Sequence, residues 1–301
     1  MKHAMLRLLG LAYGLFKHTP LIHFSLAKRL YYRVYAWSRP RDLTQIQISG
    51  NRLWLDPRDQ GIASFLLTRG CYEPFEVSIV QRLLRPGACF VDIGANIGLY
   101  SVIAAQAVGA TGRVHAFEPG PRNFELLQRN IALNNFKDRV TAQEWAIGAE
   151  SGSCKLYLCE DNLGDHRIVT ESNDGRTAID VPLRTLDEAI DPKVSVDLIK
   201  VDIQGAELLA LLGMQRLLSD NFDLAIVAEF WPDGIRRSGH DPLELVNHLY
   251  ERRFVAYLID EQRQRLSNLS QDELRRRCPA KQQCNLLWAR GACLRQVAGL
   301  Q

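Results

Sequence analysis

Phe90-Val91-Asp92-Ile93-Gly94-Ala95-Asn96-Ile97-Gly98-Leu99-Tyr100-Ser101 is the stretch on which the fold turns. Residues 88–93 are short and nearly all apolar, as a strand buried on both faces must be, and they carry an acid near their end. Gly94 and Gly98 then open a helical run to residue 108, and glycine there lets the backbone turn tightly and approach a ligand closely. The same alternation continues on the C-terminal side. Strands are expected at 113–117, 140–146, 196–201 and 224–230, with helices at 121–134, 206–218 and 242–252. Shorter strands are expected at 154–158 and 179–183, and last strands at 254–259 and 285–289. Apolar strands alternating with amphipathic helices imply an α/β domain whose mostly parallel sheet is covered on both faces.

On the N-terminal side, residues 75–84 read as a helix after Pro74, and residues 46–48 and 53–55 as a hairpin about Gly50-Asn51. Residues 1–40 read as one or two helices, broken near Thr19-Pro20 and ended by Arg39-Pro40. This head is chemically distinct. Residues 1–41 hold eight Lys or Arg and no acid, so the net +3 of the 301-residue chain leaves −5 for residues 42–301. The chain therefore divides into a basic amphipathic helical extension, 1–41, and an α/β domain, 42–301. A basic head is expected to meet an anionic partner such as a phospholipid surface, or to be a solvated extension. On a helix of about 100° per residue, His3, Arg7, Gly10, Gly14 and Lys17 share one narrow face, with leucines around most of the remainder. Such a helix suits a membrane interface, and it equally suits packing on the domain. No run is long enough to span a bilayer. Seven cysteines, an odd number without a C-x-x-C pair, argue for a reducing, cytoplasmic setting and against a zinc site.

The ligand chemistry follows from the acids. A dinucleotide site needs G-x-G-x-x-G, and here Asn96 takes the second glycine's place. Asp92 would repel a pyrophosphate and favours a cation, which S-adenosylmethionine supplies as a sulfonium and an ammonium. The next strand ends at Phe117-Glu118, where an acid can hold both ribose hydroxyls. Glu144 or Trp145, near the end of the third strand of the alternation, suit the adenine amino group and ring, although Trp145 equally suits the core. The expected cofactor residues are thus Asp92, Gly94, Asn96, Gly98, Glu118, Glu144 and Trp145.

Residues from about Tyr72 to Ile259 resemble the FkbM-type methyltransferase family. The resemblance is carried by Tyr72-Glu73, by 91–98, by Phe117-Glu118-Pro119, by Ala146-Ile147-Gly148, and above all by Asp197-Leu198-Ile199-Lys200-Val201-Asp202-Ile203-Gln204-Gly205-Ala206-Glu207. It implies a class I methyltransferase (Rossmann-like) sheet, mostly parallel with an antiparallel last strand. It also implies S-adenosylmethionine as donor, Glu73 among the cofactor residues, and O-methylation of a sugar or related hydroxyl on a glycan or glycolipid. One position departs: the family usually has Glu where this chain has Gln204.

Methyl transfer to a hydroxyl needs alignment and a base near the methyl group. Asp202 and Glu229 follow strands on the cleft side, and Lys200 alternates to the same face as Asp202. His240, in the loop after the 224–230 strand, titrates near neutrality. Asp202, Glu229 and His240 are the expected catalytic residues, and no metal is expected, since nothing in their spacing demands one. Glu207 suits the start of a helix, where an acid meets the dipole. The alternatives are a methyltransferase with another small-molecule or nitrogen acceptor, an NAD-dependent sugar oxidoreductase, and a non-catalytic nucleoside-binding module. The acidic body argues against a nucleic-acid partner.

Overall fold

The computed structural model describes residues 5–11, 25–168, 175–280 and 283–300. Thr19-Pro20, Gly14 and Lys17, which entered the reading of the head, lie outside them. The chain forms two compact units, Met1–Tyr72 with Cys159–Asp165, and Glu73–Leu158 with His166–Gln301. The first runs on past the charge boundary at residue 41.

In the first unit, residues 5–11 are helical and a second helix spans Ser25–Ser38. Strands β1 (Thr44–Ile48) and β2 (Asn51–Leu55) pair antiparallel, and a helix follows at Ile62–Arg69. The hairpin turn is Ser49-Gly50, both at positive φ (47° and 81°), the two-residue geometry that matches strand twist. Tyr35 is fully buried and its hydroxyl donates to the Pro57 carbonyl at 2.9 Å. Asp59 accepts the backbone N–H groups of Gly61, Ala63 and Leu163, each at 2.9 Å, which ties 159–165 to this unit. Gly10 sits against the Thr68 carbonyl, where a Cβ would collide. That glycine is therefore on the packed side of its helix, not on a solvated polar face with the exposed Arg7.

The second unit holds β3 (Cys89–Ile93), β4 (Arg113–Phe117), β5 (Val140–Gln143), β6 (Ala146–Ile147), β7 (Gly152–Tyr157), β8 (Ala178–Arg184), β9 (Leu198–Val201), β10 (Ala225–Phe230), β11 (Val255–Asp260), β12 (Arg265–Leu269) and β13 (Cys284–Ala289). Eight form one sheet in the order β12-β11-β13-β10-β9-β3-β4-β5. From β5 to β10 every pairing is parallel. The last strand, β13, is antiparallel to both its neighbours, β10 and β11, as the resemblance implied. Strand order reverses between β3 and β9, so a crevice opens at their carboxyl ends. On one face of the sheet Val91, Ile93, Ile199, Val201, Ile226 and Ala228 join Leu208, Leu211, Met214, Leu245, Leu249 and Trp288 in the main core. Each valine, leucine, isoleucine or methionine among them contributes about 1.5–3 kcal/mol by leaving water. The alternate positions, Asp92, Lys200 and Glu229, turn to the other face.

Two expectations are corrected, and one strand was missed. The strand expected over 140–146 ends at Gln143, and Ala146–Ile147 joins a separate three-stranded sheet, β6-β8-β7. The helix expected over 206–218 is two, Glu207–Leu212 and Gln215–Asp220, because Gly213 lies against the Gly148 carbonyl where no Cβ fits. Strand β12 went unforeseen because its hairpin lacks the usual Asn-Gly or Asp-Gly turn. Instead Asp260 accepts the N–H groups of Gln262 and Arg263 (3.1 and 2.9 Å), and Gln264 takes φ 50°.

Candidate functional site

The register assembles the site before any side chain is considered. Ala116 lies beside Asp92, Asp92 beside Lys200 and Lys200 beside Val227. Glu118, Asp202 and Glu229 each stand two residues beyond Ala116, Lys200 and Val227, hence on the same face and at the carboxyl ends of the strands. Glu229 in turn faces Asn285 across the β10–β13 pair.

The glycine loop is pinned at several points. The N–H groups of Gly94 and Ala95 both donate to the Phe117 carbonyl, at 2.9 and 3.0 Å. Gly94 has φ 83°, and a Cβ there would strike the Asp202 carbonyl oxygen, so the loops after β3 and β9 meet backbone to backbone. Gly98 has φ 86°, and a Cβ would stand 2.6 Å from Leu127. Asn96 also takes a left-handed φ, 51°, which asparagine tolerates better than most residues. Its N–H donates to Glu118 Oε2 and the Gly120 N–H to Oε1, each at 2.8 Å. Glu118 thus fixes both loops with a carboxylate whose remaining lone pairs can still accept from a diol. Burial pushes its carboxyl up to about 7, against the backbone donors that lower it. Asp92 is buried and accepts from Ser101 Oγ at 2.6 Å, and burial raises it to about 6.

Around Lys200 the site becomes a network. Its ammonium lies 3.1 Å from Asp202 Oδ2, 3.6 Å from Glu76 Oε1 and 4.5 Å from the centre of the Tyr100 ring. Tyr100 donates its hydroxyl to Glu73 and Glu76, at 3.0 and 2.9 Å. Asn285 Nδ2 also reaches both acids, at 3.2 and 2.6 Å. Burial opposes the charge on Lys200, and Asp202, Glu76, Glu73 and Asp92 more than offset it, so its pKa stands well above the usual value. Glu73, in a left-handed N-cap position at φ 42°, is raised to about 8 by burial and then by Glu76.

The three residues expected to be catalytic separate. Asp202 is half-buried, ion-paired to Lys200, and accepts from Gln204 Nε2 at 2.9 Å. An amide at 204 therefore does what the family's usual acid could not, donating to Asp202 where a second carboxylate would repel it. Glu229 is buried, its Oε2 has no partner, and burial followed by the nearby Asp202 holds its pKa well above the carboxylate range. His240 has a local partner. It stands just ahead of Asp241, the N-cap of the helix Pro242–Glu251, and its Nδ1 meets Glu244 at 3.2 Å, while Glu244 also caps the Asp241 N–H. Among the described residues the side-chain partner of His240 is Glu244, not a member of the Lys200 network. Glu207 accepts from the N–H groups of Ile203 and Gly205 and is raised to about 7 by burial, so it staples its own loop. Glu144 is exposed just beyond β5, and Trp145 stacks on Phe117 with ring centres 6.4 Å apart. The sequence reading missed Glu76, Tyr100 and Asn285. Glu76, three residues after Glu73 on one helix, was open to detection.

Comparison with known proteins places relatives of this chain among methyltransferases. Residues 92–263 match the Methyltransferase FkbM domain. Methyltransferase sdnD of Sordaria araneosa is 30% identical over 179 residues, 48% of this chain and 68% of that protein. The 31-O-demethyl-FK506 methyltransferase FkbM of Streptomyces tacrolimicus is 37% identical over 79 residues, 26% of this chain and 29% of that one. Hexuronic acid methyltransferase AglP of Haloferax volcanii is 28% identical over 168 residues, 53% of this chain and 60% of that one.

Proposed function

The chain belongs to the FkbM methyltransferase family, and on that footing we propose that it methylates a hydroxyl of a sugar, on a glycan or glycolipid. It is a methyltransferase with S-adenosylmethionine as cofactor, which sets aside the oxidoreductase and non-catalytic readings. The observation that carries the finer reading is the half-buried Asp202 carboxylate, held between Lys200 and Gln204 at the end of β9. A hydroxyl acceptor must lose a proton, and a fixed carboxylate of this kind can take it. The relative named for hexuronic acid supports a sugar acceptor.

The donor set fits the cofactor. Among the described residues, acids outnumber Lys200 in the site and Glu229 Oε2 lacks a partner, as suits a site made for a ligand with two positive centres. Asp92 and Glu73 would offset the ammonium, Glu118 would hold the ribose diol, the loop 94–98 would allow close approach, and Glu144 and Trp145 would flank the adenine. When bound, S-adenosylmethionine supplies a methyl group made electrophilic by its sulfonium. Asp202 takes the acceptor's hydroxyl proton as the oxygen is methylated, and Lys200 and Gln204 hold its carboxylate in place. Glu229, whose carboxyl is held well above the usual range by burial and then by Asp202, would in its protonated form offer the acceptor a hydrogen-bond donor.

Supplying the protein with donor labelled at the methyl carbon, with neutral and acidic sugars as acceptors, should yield an ether methyl resonance. Labelling of amines or carboxylates alone would overturn the reading. Asp92→Asn keeps the size and the Ser101 hydrogen bond but loses the charge, and should weaken S-adenosylhomocysteine binding about 10- to 100-fold in calorimetry. Unchanged affinity would move the cofactor site elsewhere.

Binding should also depend on pH. Asp92 near 6 and Glu73 near 8 carry protons in the free site that a cation displaces. Affinity for S-adenosylmethionine should therefore rise from pH 6 to 8, by up to about tenfold per pH unit for each proton released. The free protein should respond oppositely. Because the folded pKa values are raised, their stabilising contribution is full below the unfolded values and is lost as pH climbs through about 6 and then 8. Calorimetry in buffers of different ionisation enthalpy reads the released protons, and a flat affinity from pH 6 to 8 would contradict this.

A further inference from the structure

Five of the six exposed large hydrophobic side chains among the described residues fall between Leu8 and Leu43: Leu8, Leu11, Leu30, Trp37 and Leu43. Six of the eight head cations lie in the same part of the chain, with Lys2 and Arg7 just ahead of it, and residues 1–41 hold no acid. Two helices show how this comes about. In residues 5–11, Leu6 is buried and Gly10 abuts Thr68, so the packed side is accounted for and Arg7, Leu8 and Leu11 share the outward side. In Ser25–Ser38, Tyr35 and Ser38 are buried, the latter donating to the Val34 carbonyl at 2.7 Å. At about 100° per residue, Arg29, Leu30, Arg33 and Trp37 fall together on the opposite, exposed side.

We propose that these outward faces dock on an anionic phospholipid surface. The sequence left open whether the head's apolar residues pack on the protein, and Leu8, Leu11, Leu30 and Trp37 stand more than half exposed. Large apolar side chains beside arginines, with a tryptophan among them, are the composition of a helix lying in a membrane interface. Charge selects the occupant, because a surface with cations and no acids is drawn to anionic headgroups at short range. The length of the helices fits this role: among the described residues none is long and apolar enough to cross a membrane.

Truncating the head is a poor test, since Tyr35 and its bond to Pro57 belong to the core of the first unit. The full chain is better mixed with vesicles of phosphatidylcholine alone or with phosphatidylglycerol, and sedimented. Binding is expected to the anionic vesicles only. The pairs Leu30→Glu/Trp37→Glu and Arg29→Glu/Arg33→Glu should each lower it about tenfold or more, with S-adenosylhomocysteine affinity unchanged. Three results would overturn the proposal: no sedimentation of a protein that binds S-adenosylhomocysteine, equal binding to both vesicle types, or full binding by Leu30→Glu/Trp37→Glu. A lipid-free dimer that Leu30→Glu/Trp37→Glu converts to monomer would also overturn it, in favour of a second copy as occupant.

Discussion

Asp202→Asn is expected to lower kcat by about 10²- to 10⁴-fold while the dissociation constant of S-adenosylhomocysteine changes by less than about threefold. The amide preserves the shape between Lys200 and Gln204 but cannot accept a proton from the acceptor. A group that acts only as the reaction proceeds lowers kcat and kcat/KM together, whereas a binding group raises KM or the cofactor dissociation constant. Asp202 is also the more exposed member of its ion pair, its side chain 29% accessible against 5% for Lys200, as a residue that meets the acceptor should be. Single-turnover measurement with labelled donor separates chemistry from release. Wild-type turnover in the variant would remove Asp202 from the mechanism and leave Glu229, through its unpartnered oxygen, as the group to test next.

Lys200→Met should have the largest effect on stability. Methionine fills much of the lysine volume, yet it leaves Glu76, wholly buried, and Glu73 without the one cation of the network. Breaking a buried ion pair from one side costs about 3–5 kcal/mol, because the charge left behind is uncompensated. The loss should be greatest at pH 8 and smaller at pH 5.5, where Glu73, already raised to about 8, carries a proton and escapes the penalty. Urea titration at both pH values measures this, with the transitions of the two compact units followed separately, since a single two-state fit is not assured. Equal stability of wild type and variant at pH 8 would show that the network is dispensable for folding.

How far these residues were legible depends on how local their causes are. The strand, glycine loop and helix of 88–108 were readable because burial on two faces, an acid and two glycines act within a dozen residues. That the sheet is mostly parallel followed from alternation, and Asp202 and Glu229 from their place at strand ends, whereas the strand order was not readable. Asn285 could not be read this way. Its contact with Glu73 and Glu76 exists only because β13 inserts between β10 and β11, more than 200 residues along the chain from the acids it touches. His240 misled for a local reason of another kind. A loop histidine near acids suggests catalysis, but its partner is Glu244, the acid that closes the capping box of the helix that follows. The Gly205 turn was foreseen as part of a motif, though not its cause: a Cβ there would stand 2.7 Å from the Cα of Gly234, so two loops approach with no room for a side chain. Raised carboxyl pKa values are likewise invisible in a sequence, since they come from burial among other carboxyls and not from the residue type.

The position of β13 bears on the order of events during synthesis. This strand lies inside the sheet, and Asn285 at its start closes the hydrogen bonds around Glu73 and Glu76. A ribosome that has made residues 73–230 has produced the glycine loop and five parallel strands, but not the neighbour that covers the free edge of β10. Until residue 289 has emerged, that edge is bare and two buried acids lack an amide donor. The nascent chain should thus be a poor receptor for the methyl donor and a good client for chaperones that shield strand edges.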